Sequence, residues 1–254
     1  MKNKIAGFGI ISLVLLGCKA PLGIANIQTE KNIYITSELN DDKAMDALIQ
    51  PYKNELEGKM NKKISHTNVE LNKSGDNSNL GNLLADYTFE GAEEWAKKNN
   101  IQAIDAAVIN IGGIRNIIPK GDITIKNIYE VMPFDNEIVI MKMSGKALQG
   151  LFDYYLKRQE NNPVSHLLIE TDGGDTISKK LINGKPIDES KTYYIATSDY
   201  LAMGGDNMFF FGKGEMIRTG IKMRDLFLEK FRQNPEISAP DDVRLMFKNK
   251  KTQE

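Results

Sequence analysis

Stretches with helical periodicity alternate with short strand-like runs along this chain of 254 residues. Residues 80–98 place apolar side chains three to four positions apart, which is typical of a helix with one buried face. Residues 137–143 alternate as a strand does, with Ile138 and Ile140 on one side. Because short strands and hairpins mix with helices, the pattern predicts an α+β fold with mixed sheets and disfavours a purely parallel, doubly wound sheet.

The two periodicities, together with turn-forming residues, predict a full set of elements. Helices are expected at residues 43–60, 80–98, 125–131, 145–158 and 219–233. Strands or extended segments are expected at residues 33–36, 69–71, 104–109, 137–143, 166–170, 176–182, 193–197 and 243–247. Ser144 is expected to cap one helix, Pro51 to kink another, and Asn183-Gly184 to form a hairpin turn.

The first residues have the features of a targeting signal. Lys2 and Lys4 precede an almost wholly apolar run at residues 5–16, which is too short to span a bilayer as a helix. Leu15-Leu16-Gly17-Cys18 follows and resembles the bacterial lipoprotein signal, in which the cysteine is lipidated and becomes the new N-terminus. The alternative is a buried thiol at the end of a cleaved leader.

These features predict the organisation of the chain and its location. We expect a signal peptide at residues 1–17, a lipid on Cys18, a tether at 18–30, one globular domain at 31–247 and a polar tail at 248–254. The protein is then expected in the cell envelope, as a membrane-anchored lipoprotein facing the periplasm or the exterior.

Charge and residue counts exclude several classes of function. Without the predicted signal the chain has 31 basic and 34 acidic residues, a net charge near −3. No basic field is present, so no nucleic-acid partner is expected. Cys18 is the single cysteine, so no internal disulfide can form. His66 and His166 are the two histidines and belong to no cluster of metal-ligating residues, so no metal or other cofactor is expected in this chain.

One turn-forming segment follows the strand predicted at residues 104–109. It begins at Asn110 and continues through Gly112-Gly113 to Arg115. The glycines allow backbone conformations that are closed to other residues, and the guanidinium presents a planar fork that matches phosphate oxygens. The alternative is an ordinary tight turn with a surface arginine.

Two further segments carry flat rings and polar groups. Phe134 stands beside a polar pair that ends at Asn136, which favours a ring that faces a cleft. Tyr200 follows a predicted strand, and Asp206 could accept both hydroxyls of a ribose. Each ring could stack on a base, a contact worth about 1 to 3 kcal/mol. The alternatives are a core phenylalanine, and a core tyrosine beside an Asx-type turn.

The order of these segments resembles the C-terminal domain of the 5′-nucleotidase family, which includes the bifunctional UDP-sugar hydrolases. The resemblance covers residues 60–246 and rests on five motifs: Ser78-Asn-Leu-Gly-Asn-Leu-Leu-Ala-Asp86, Asn110-Ile-Gly-Gly-Ile-Arg115 with Ile118-Pro-Lys-Gly-Asp-Ile-Thr124, Tyr129-Glu-Val-Met-Pro-Phe-Asp-Asn136, Ser144-Gly145, and Tyr194-Ile-Ala-Thr-Ser-Asp-Tyr-Leu-Ala-Met-Gly-Gly-Asp206. It implies a layered α/β/β/α sandwich with mixed sheets, and a role in nucleotide catabolism within a hydrolase family.

The resemblance also implies the roles of individual residues. Arg115 corresponds to a phosphate-binding arginine, Asp206 to a ribose-binding aspartate, and Phe134 and Tyr200 to the two faces of a base sandwich. Tyrosine replaces the more usual phenylalanine at the second face. The substrate-binding residues implied in this way are Asn110, Gly113, Arg115, Phe134, Asn136, Tyr200 and Asp206. No catalytic residue is implied in this chain.

The chain departs from the family pattern at three places. Asn77 and Lys73 stand near positions where relatives often carry a glutamate and an arginine, so one phosphate contact is expected to be weakened. Asn207-Met208 follows the final glycine motif, where glycine and an aromatic residue are more usual. The N-terminal metallophosphoesterase domain of the family, which holds two metal ions, has no counterpart here, since two histidines cannot supply such a centre.

Three interpretations of function remain open. In the first, the chain is the nucleotide-binding half of a split 5′-nucleotidase, inactive alone, and its partner is a separate metallophosphoesterase chain that carries the divalent metals. In the second, it is a stand-alone surface lipoprotein that binds nucleotides or nucleosides without catalysis. In the third, it is a scaffold that keeps the fold without a ligand.

Overall fold

The structure is a computed structural model that describes residues 24, 26–36, 42–173, 176–248 and 250. The predicted signal peptide, Cys18 and most of the predicted polar tail lie outside these residues. The chain divides into two compact units, residues 1–48 and 49–254. In the first unit, residues 26–36 are exposed and form neither helix nor strand, so the strand predicted at 33–36 is wrong.

The first helix among the described residues, α1, spans Lys43–Met60 and has the predicted bounds. It continues through Pro51 without interruption, and every one of its residues except the half-buried Met60 is exposed. Five further helices are described: α2 at Asn79–Lys98, α3 at Ile125–Val131, α4 at Gly145–Arg158, α5 at Asp199–Ala202 and α6 at Met223–Gln233.

Side-chain caps begin four of these helices. The hydroxyl groups of Ser78, Ser144 and Ser198 each accept a hydrogen bond from the backbone N–H three residues later, at the starts of α2, α4 and α5. Thr124 and Asn127 form a reciprocal capping box at the start of α3. Each cap satisfies backbone donors that the first turn of a helix leaves free, so the predicted cap at Ser144 is confirmed.

The described residues contain eleven strands in three sheets. They are β1 at Lys63–Thr67, β2 at Ala106–Val108, β3 at Gly121–Thr124, β4 at Glu137–Ser144, β5 at Val164–Ser165, β6 at Leu167–Thr171, β7 at Ile177–Ile182, β8 at Lys185–Pro186, β9 at Thr192–Ser198, β10 at Glu215–Lys222 and β11 at Leu245–Phe247. The central sheet has the order β10-β4-β9-β2-β5, a second sheet has the order β11-β6-β7-β8, and β1 pairs with β3.

Parallel and antiparallel pairs occur together in both larger sheets. In the central sheet β2 and β9 are parallel, whereas β4 is antiparallel to β9 and to β10. In the second sheet β11 and β6 are parallel and β6 and β7 antiparallel. The predicted α+β class with mixed sheets is therefore confirmed.

Hydrophobic clusters cover both faces of the central sheet, and β4 shows why. Ile138 and Ile140 point to the cluster that contains residues of α2, α3 and α6, as predicted. Val139 and Met141 point to the opposite cluster, which contains residues of α4 and the second sheet. A strand covered on both faces needs a nearly continuous apolar run, which residues 138–141 supply.

The least accurate prediction concerns residues 219–233, which were expected to be one helix. Residues up to Lys222 belong to β10, and the helix begins at Met223. Strand β10 lies at the edge of the sheet, alternates between half-buried and exposed residues, and contains Gly220 at φ +75°. An edge strand with polar residues and an irregular pairing lacks the apolar pattern by which strands are recognised. The short strands β1, β3, β5 and β8 were missed too.

Candidate functional site

A cavity of about 360 Å³ lies at the edge of the central sheet where β2 and β9 end and β4 begins. Strands β2 and β9 are parallel neighbours, so the residues that follow them emerge side by side. Strand β4 is antiparallel to β9, with Ile138 opposite Ser198, so the residues that precede β4 meet those that follow β9. Sheet register alone thus joins three loops that are far apart in sequence.

All seven residues predicted to bind substrate line this one cavity. Its lining consists of Ile109, Asn110, Gly112, Gly113, Arg115, Met132, Phe134, Asn136, Ser198, Tyr200, Asp206 and Met223. The other five lining residues were not predicted to bind substrate: Ile109, Gly112, Met132, Ser198 and Met223. The first four lie within segments that the sequence analysis singled out, whereas Met223 was hidden by the misplaced helix boundary at residue 219.

The loop after β2 presents Asn110 and Arg115. A Cβ atom added to Gly113 would lie 2.9 Å from Asn110 Oδ1, so this glycine lets the amide lie close to the backbone. Arg115 is exposed, and its Nη1 donates to the carbonyl oxygen of Gly112 at 3.0 Å. The Cζ atom of Arg115 lies 5.9 Å from the centroid of the Phe134 ring, within the range of a cation–π contact.

The loop before β4 presents Phe134, whose side chain is 45% exposed, unlike the fully buried phenylalanines of the core. Arg224, near the start of α6, holds this loop in place. Its Nη1 donates to the carbonyl oxygen of Pro133 at 3.0 Å, and its Nη2 pairs with the carboxylate of Asp135. Its guanidinium also lies over the ring of Tyr129. The sequence interpretation missed Arg224, since it lies about 90 residues from the loop that it supports.

The segment after β9 presents Tyr200 and Asp206. Tyr200 is 43% exposed, so neither ring is the core residue of the alternative interpretation. Its Oη donates to Asp206 Oδ1 at 2.7 Å, and this bond to the carboxylate raises the pKa of Tyr200. Gly204, at φ +93°, and Asp206, at φ +49°, turn the chain back toward the ring.

The two residues that depart from the family pattern have structural partners. Lys73 donates from Nζ to the carbonyl oxygen of Ile114 at 2.7 Å, and so supports the loop before Arg115. Asn77 Oδ1 accepts from the backbone N–H groups of Arg244 and Leu245 and holds the start of β11. Neither Lys73 nor Asn77 is among the residues that line the cavity.

A second cavity of about 660 Å³ is larger, but most of its polar side chains pair with one another. Arg244 forms bidentate ion pairs with Asp86 and Asp242. Ser165 Oγ donates to Asp86 at 2.6 Å and lies 2.9 Å from Nδ1 of His166. Burial lowers the pKa of His166 and so favours the neutral imidazole. This cavity therefore holds a self-satisfied ion-pair network.

The described residues contain neither a metal-binding cluster nor a membrane-spanning helix. Within the residues that the structure covers, no group of three or more His, Cys, Asp and Glu side chains could hold a metal ion. Among the helices of that same part of the chain, none combines the length and the hydrophobicity needed to cross a membrane.

Comparison with known families decides the identity of this fold. The model of the family described as "5'-nucleotidase, C-terminal domain" matches residues 58–213, more than half of the chain. The chain belongs to this family. The cavity lies at the loops that carry the family motifs, and those loops surround the ends of β2 and β9.

Matches to individual proteins support the same family assignment. Protein UshA of Yersinia enterocolitica is 30% identical over 189 residues, and Protein UshA of Escherichia coli is 31% identical over 190 residues. Each match covers 70% of this chain and 32% of the relative. The crystal structure of a 5′-nucleotidase precursor from Thermus thermophilus matches with a TM-score of 0.65 at 25% identity, over 80% of this chain and 42% of that one. The chain thus spans about a third of the length of the curated relatives it matches.

Proposed function

We propose that the 360 Å³ cavity binds a nucleotide, and that the chain is the nucleotide-binding half of a split 5′-nucleotidase. The observation that carries this proposal is that all seven residues implied by the family motifs line one cavity. In the proposed complex Arg115 binds phosphate, Asp206 binds the ribose, and the base lies between Phe134 and Tyr200.

The chemistry of the lining supports this ligand. Arg115 and Asp206 are its charged residues, so the cavity offers one cation and one anion, which suit a phosphate and a sugar diol. Phe134 and Tyr200 are each a little under half exposed, so their rings have area left to cover. Its volume lies at the lower end of the usual range of about 300 to 1,000 Å³ for small-molecule sites.

Hydrolysis is assigned to a partner chain. Phosphate-ester cleavage by a two-metal centre needs ligands that hold two ions about 3.5 to 4 Å apart, and no such group occurs in the described residues. The divalent metals are therefore proposed to reside in a separate metallophosphoesterase. The proposed anchor for the complex is a lipid on Cys18, which places it in the cell envelope.

Helix α1 offers a surface for that partner. Ile49, Tyr52 and Leu56 lie three to four positions apart and are 50%, 73% and 56% exposed. The family match begins at residue 58 and corresponds to a C-terminal domain, so this row lies where the remaining two thirds of the relatives would join. An exposed apolar row of this kind is typical of an interaction surface.

Titration calorimetry of AMP into the purified chain tests the nucleotide site. Weak binding is expected, and Phe134→Ala should weaken it by about 1 to 3 kcal/mol because stacking on one face is lost. Tyr52→Ala is the aromatic control, since Tyr52 is 73% exposed and lies outside the cavity lining. Absence of heat with AMP, adenosine and UDP-glucose would refute the site.

Activity assays separate the split enzyme from a stand-alone binding protein. The chain with manganese or zinc should not hydrolyse AMP, whereas a co-purified metallophosphoesterase should restore hydrolysis. The double variant Tyr52→Glu, Leu56→Glu should abolish that restored activity and leave AMP binding intact. Turnover by the pure chain would contradict the proposal. AMP binding with no partner in pull-downs would instead favour the stand-alone lipoprotein.

The lipid anchor has its own test. Cys18→Ser should release the protein from the membrane fraction under either interpretation.

A further inference from the structure

The loop at residues 133–136, before β4, contains neither helix nor strand, yet its four backbone carbonyl groups all accept hydrogen bonds from three consecutive residues. The bonds run from Arg224 Nη1 to Pro133 and Phe134 at 3.0 and 3.4 Å, from Lys222 Nζ to Asp135 at 2.9 Å, and from the backbone N–H of Met223 to Asn136 at 2.9 Å. The junction of β10 and α6 therefore holds every residue of this loop.

Arg224 makes more of these contacts than either neighbour. Its Nη2 also pairs with the carboxylate of Asp135, and its guanidinium lies over the ring of Tyr129, 4.6 Å from the centroid. Its Nε is buried and has no hydrogen-bond partner among the described residues. A buried donor without a partner is unfavourable. The side chain is thus held at a cost in the one place from which its other nitrogens reach the loop, which indicates a role beyond stability.

The ring of Phe134 depends on this loop, because packing in the core does not fix it. The side chain is 45% exposed, and the neighbouring guanidinium of Arg115, 5.9 Å from the ring, is itself exposed. A ring on a loosely held loop loses conformational freedom when a base stacks on it, and that loss weakens binding. A loop that is fixed before the ligand arrives avoids this cost.

We propose that Arg224 is a positioning residue for base binding. It lies outside the cavity lining and acts through the backbone of the loop, which it fixes so that Phe134 faces the cavity before a base binds. This inference rests on the proposed nucleotide site. It predicts that Arg224 affects binding of the base and leaves binding of the phosphate unchanged.

The test is calorimetry with AMP and adenosine against the wild-type chain and Arg224→Gln, which removes the charge and the planar fork. Affinity for both ligands should fall equally, by about fivefold or more, since both carry the base that stacks on Phe134. Arg232→Gln is the matched control, because Arg232 is exposed on the same helix and lies outside the cavity lining.

A double-mutant cycle separates positioning from a general structural role. In the Phe134→Ala background, Arg224→Gln should change AMP affinity by less than about twofold, because the ring that it positions is gone. Asp135→Ala is a second variant that keeps the core intact, since the side chain of Asp135 is 75% exposed. It removes one anchor of Arg224 and should weaken both ligands by about threefold in the wild-type background, with no effect in Phe134→Ala.

The outcomes distinguish this inference from the proposed function. Unchanged AMP affinity in Arg224→Gln would overturn the inference, and so would an equal loss in the wild-type and Phe134→Ala backgrounds or a larger loss for AMP than for adenosine. In each of these cases wild-type binding, and with it the proposed nucleotide site, would stand. If the wild type binds no nucleoside and no nucleotide, the proposed function fails and the inference fails with it.

Discussion

Two arginines in two cavities of this protein have opposite roles. Arg244 is 8% exposed, and its guanidinium donates to two carboxylates and to two backbone carbonyl groups. Arg115 is exposed, donates to one carbonyl oxygen and lies at the rim of the smaller cavity. The larger cavity therefore holds the cation whose charge is already neutralised. Cavity volume is a poor guide to a binding site when the polar groups inside satisfy one another.

Of the substitutions considered, the one at Arg244 should have the largest effect, and this effect should be on stability. Arg244→Gln leaves Asp86 without its cation and removes donors from the carbonyl oxygens of Asn82 and Val164, so the free energy of unfolding should fall by about 3 kcal/mol or more. Urea unfolding followed by the fluorescence of Trp95, the one tryptophan, measures this loss. A loss below about 1 kcal/mol would mean that the network is no stronger than a surface ion pair.

Substitution of Arg115 should have the opposite effects: stability should hardly change, and AMP affinity should fall. Arg115→Gln should leave the free energy of unfolding within about 0.5 kcal/mol of the wild type, since the side chain is exposed. AMP affinity should fall by about 1.5 to 3 kcal/mol, because a charge-assisted bond to phosphate is lost. Adenosine, which lacks the phosphate, serves as the matched ligand, and its affinity should fall much less. Equal losses for AMP and adenosine would show that Arg115 does not contact phosphate.

The smallest effect is expected on the pH dependence of stability, through His166 at the larger cavity. Burial lowers the pKa of His166 despite the nearby carboxylate of Asp86, and the ring stacks on Phe89 with centroids 3.7 Å apart. The unfolded chain therefore binds the proton more tightly than the folded chain. Stability should decline as pH falls through about 6.5, the ordinary value for histidine, and level off below the folded-state pKa.

Urea midpoints at pH 7.5 and 5.5 check this dependence. His166→Asn should flatten it, and asparagine suits the left-handed backbone of this position, at φ +58°. His66→Asn is the control, since His66 lies in an exposed pair with Asp122. An unchanged slope in His166→Asn would assign the pH dependence to other groups.

The accuracy of the sequence interpretation differs between elements for physical reasons. The bounds of α1 and α3 follow from helical periodicity, which local sequence encodes directly. The last four residues of strand β10 were assigned to a helix, because its partner, β4, lies about 80 residues away and its own composition is polar. The segment at residues 33–36 has a strand-like composition, yet among the described residues it has no strand to pair with.

The candidate site shows the same difference between features that local sequence encodes and features that depend on distant contacts. Seven of the twelve lining residues were predicted because glycine turns, rings and charges recur in the order of the family motifs. Arg224 was missed because it acts on a loop far away in sequence. The bond between Tyr200 and Asp206 was also missed, because it depends on the left-handed turn at residues 204–206.

The sequence by itself determined the class of fold, the family and the chemical groups available to a ligand, since periodicity and motif order are local properties of the chain. Only the tertiary structure decided which groups meet and which remain free to bind. Strand register brings three distant loops to one edge of the sheet, and through-space contacts neutralise Arg244 while they leave Arg115 exposed. Hydrogen bonding depends on distance and angle between atoms, and the folded backbone sets both.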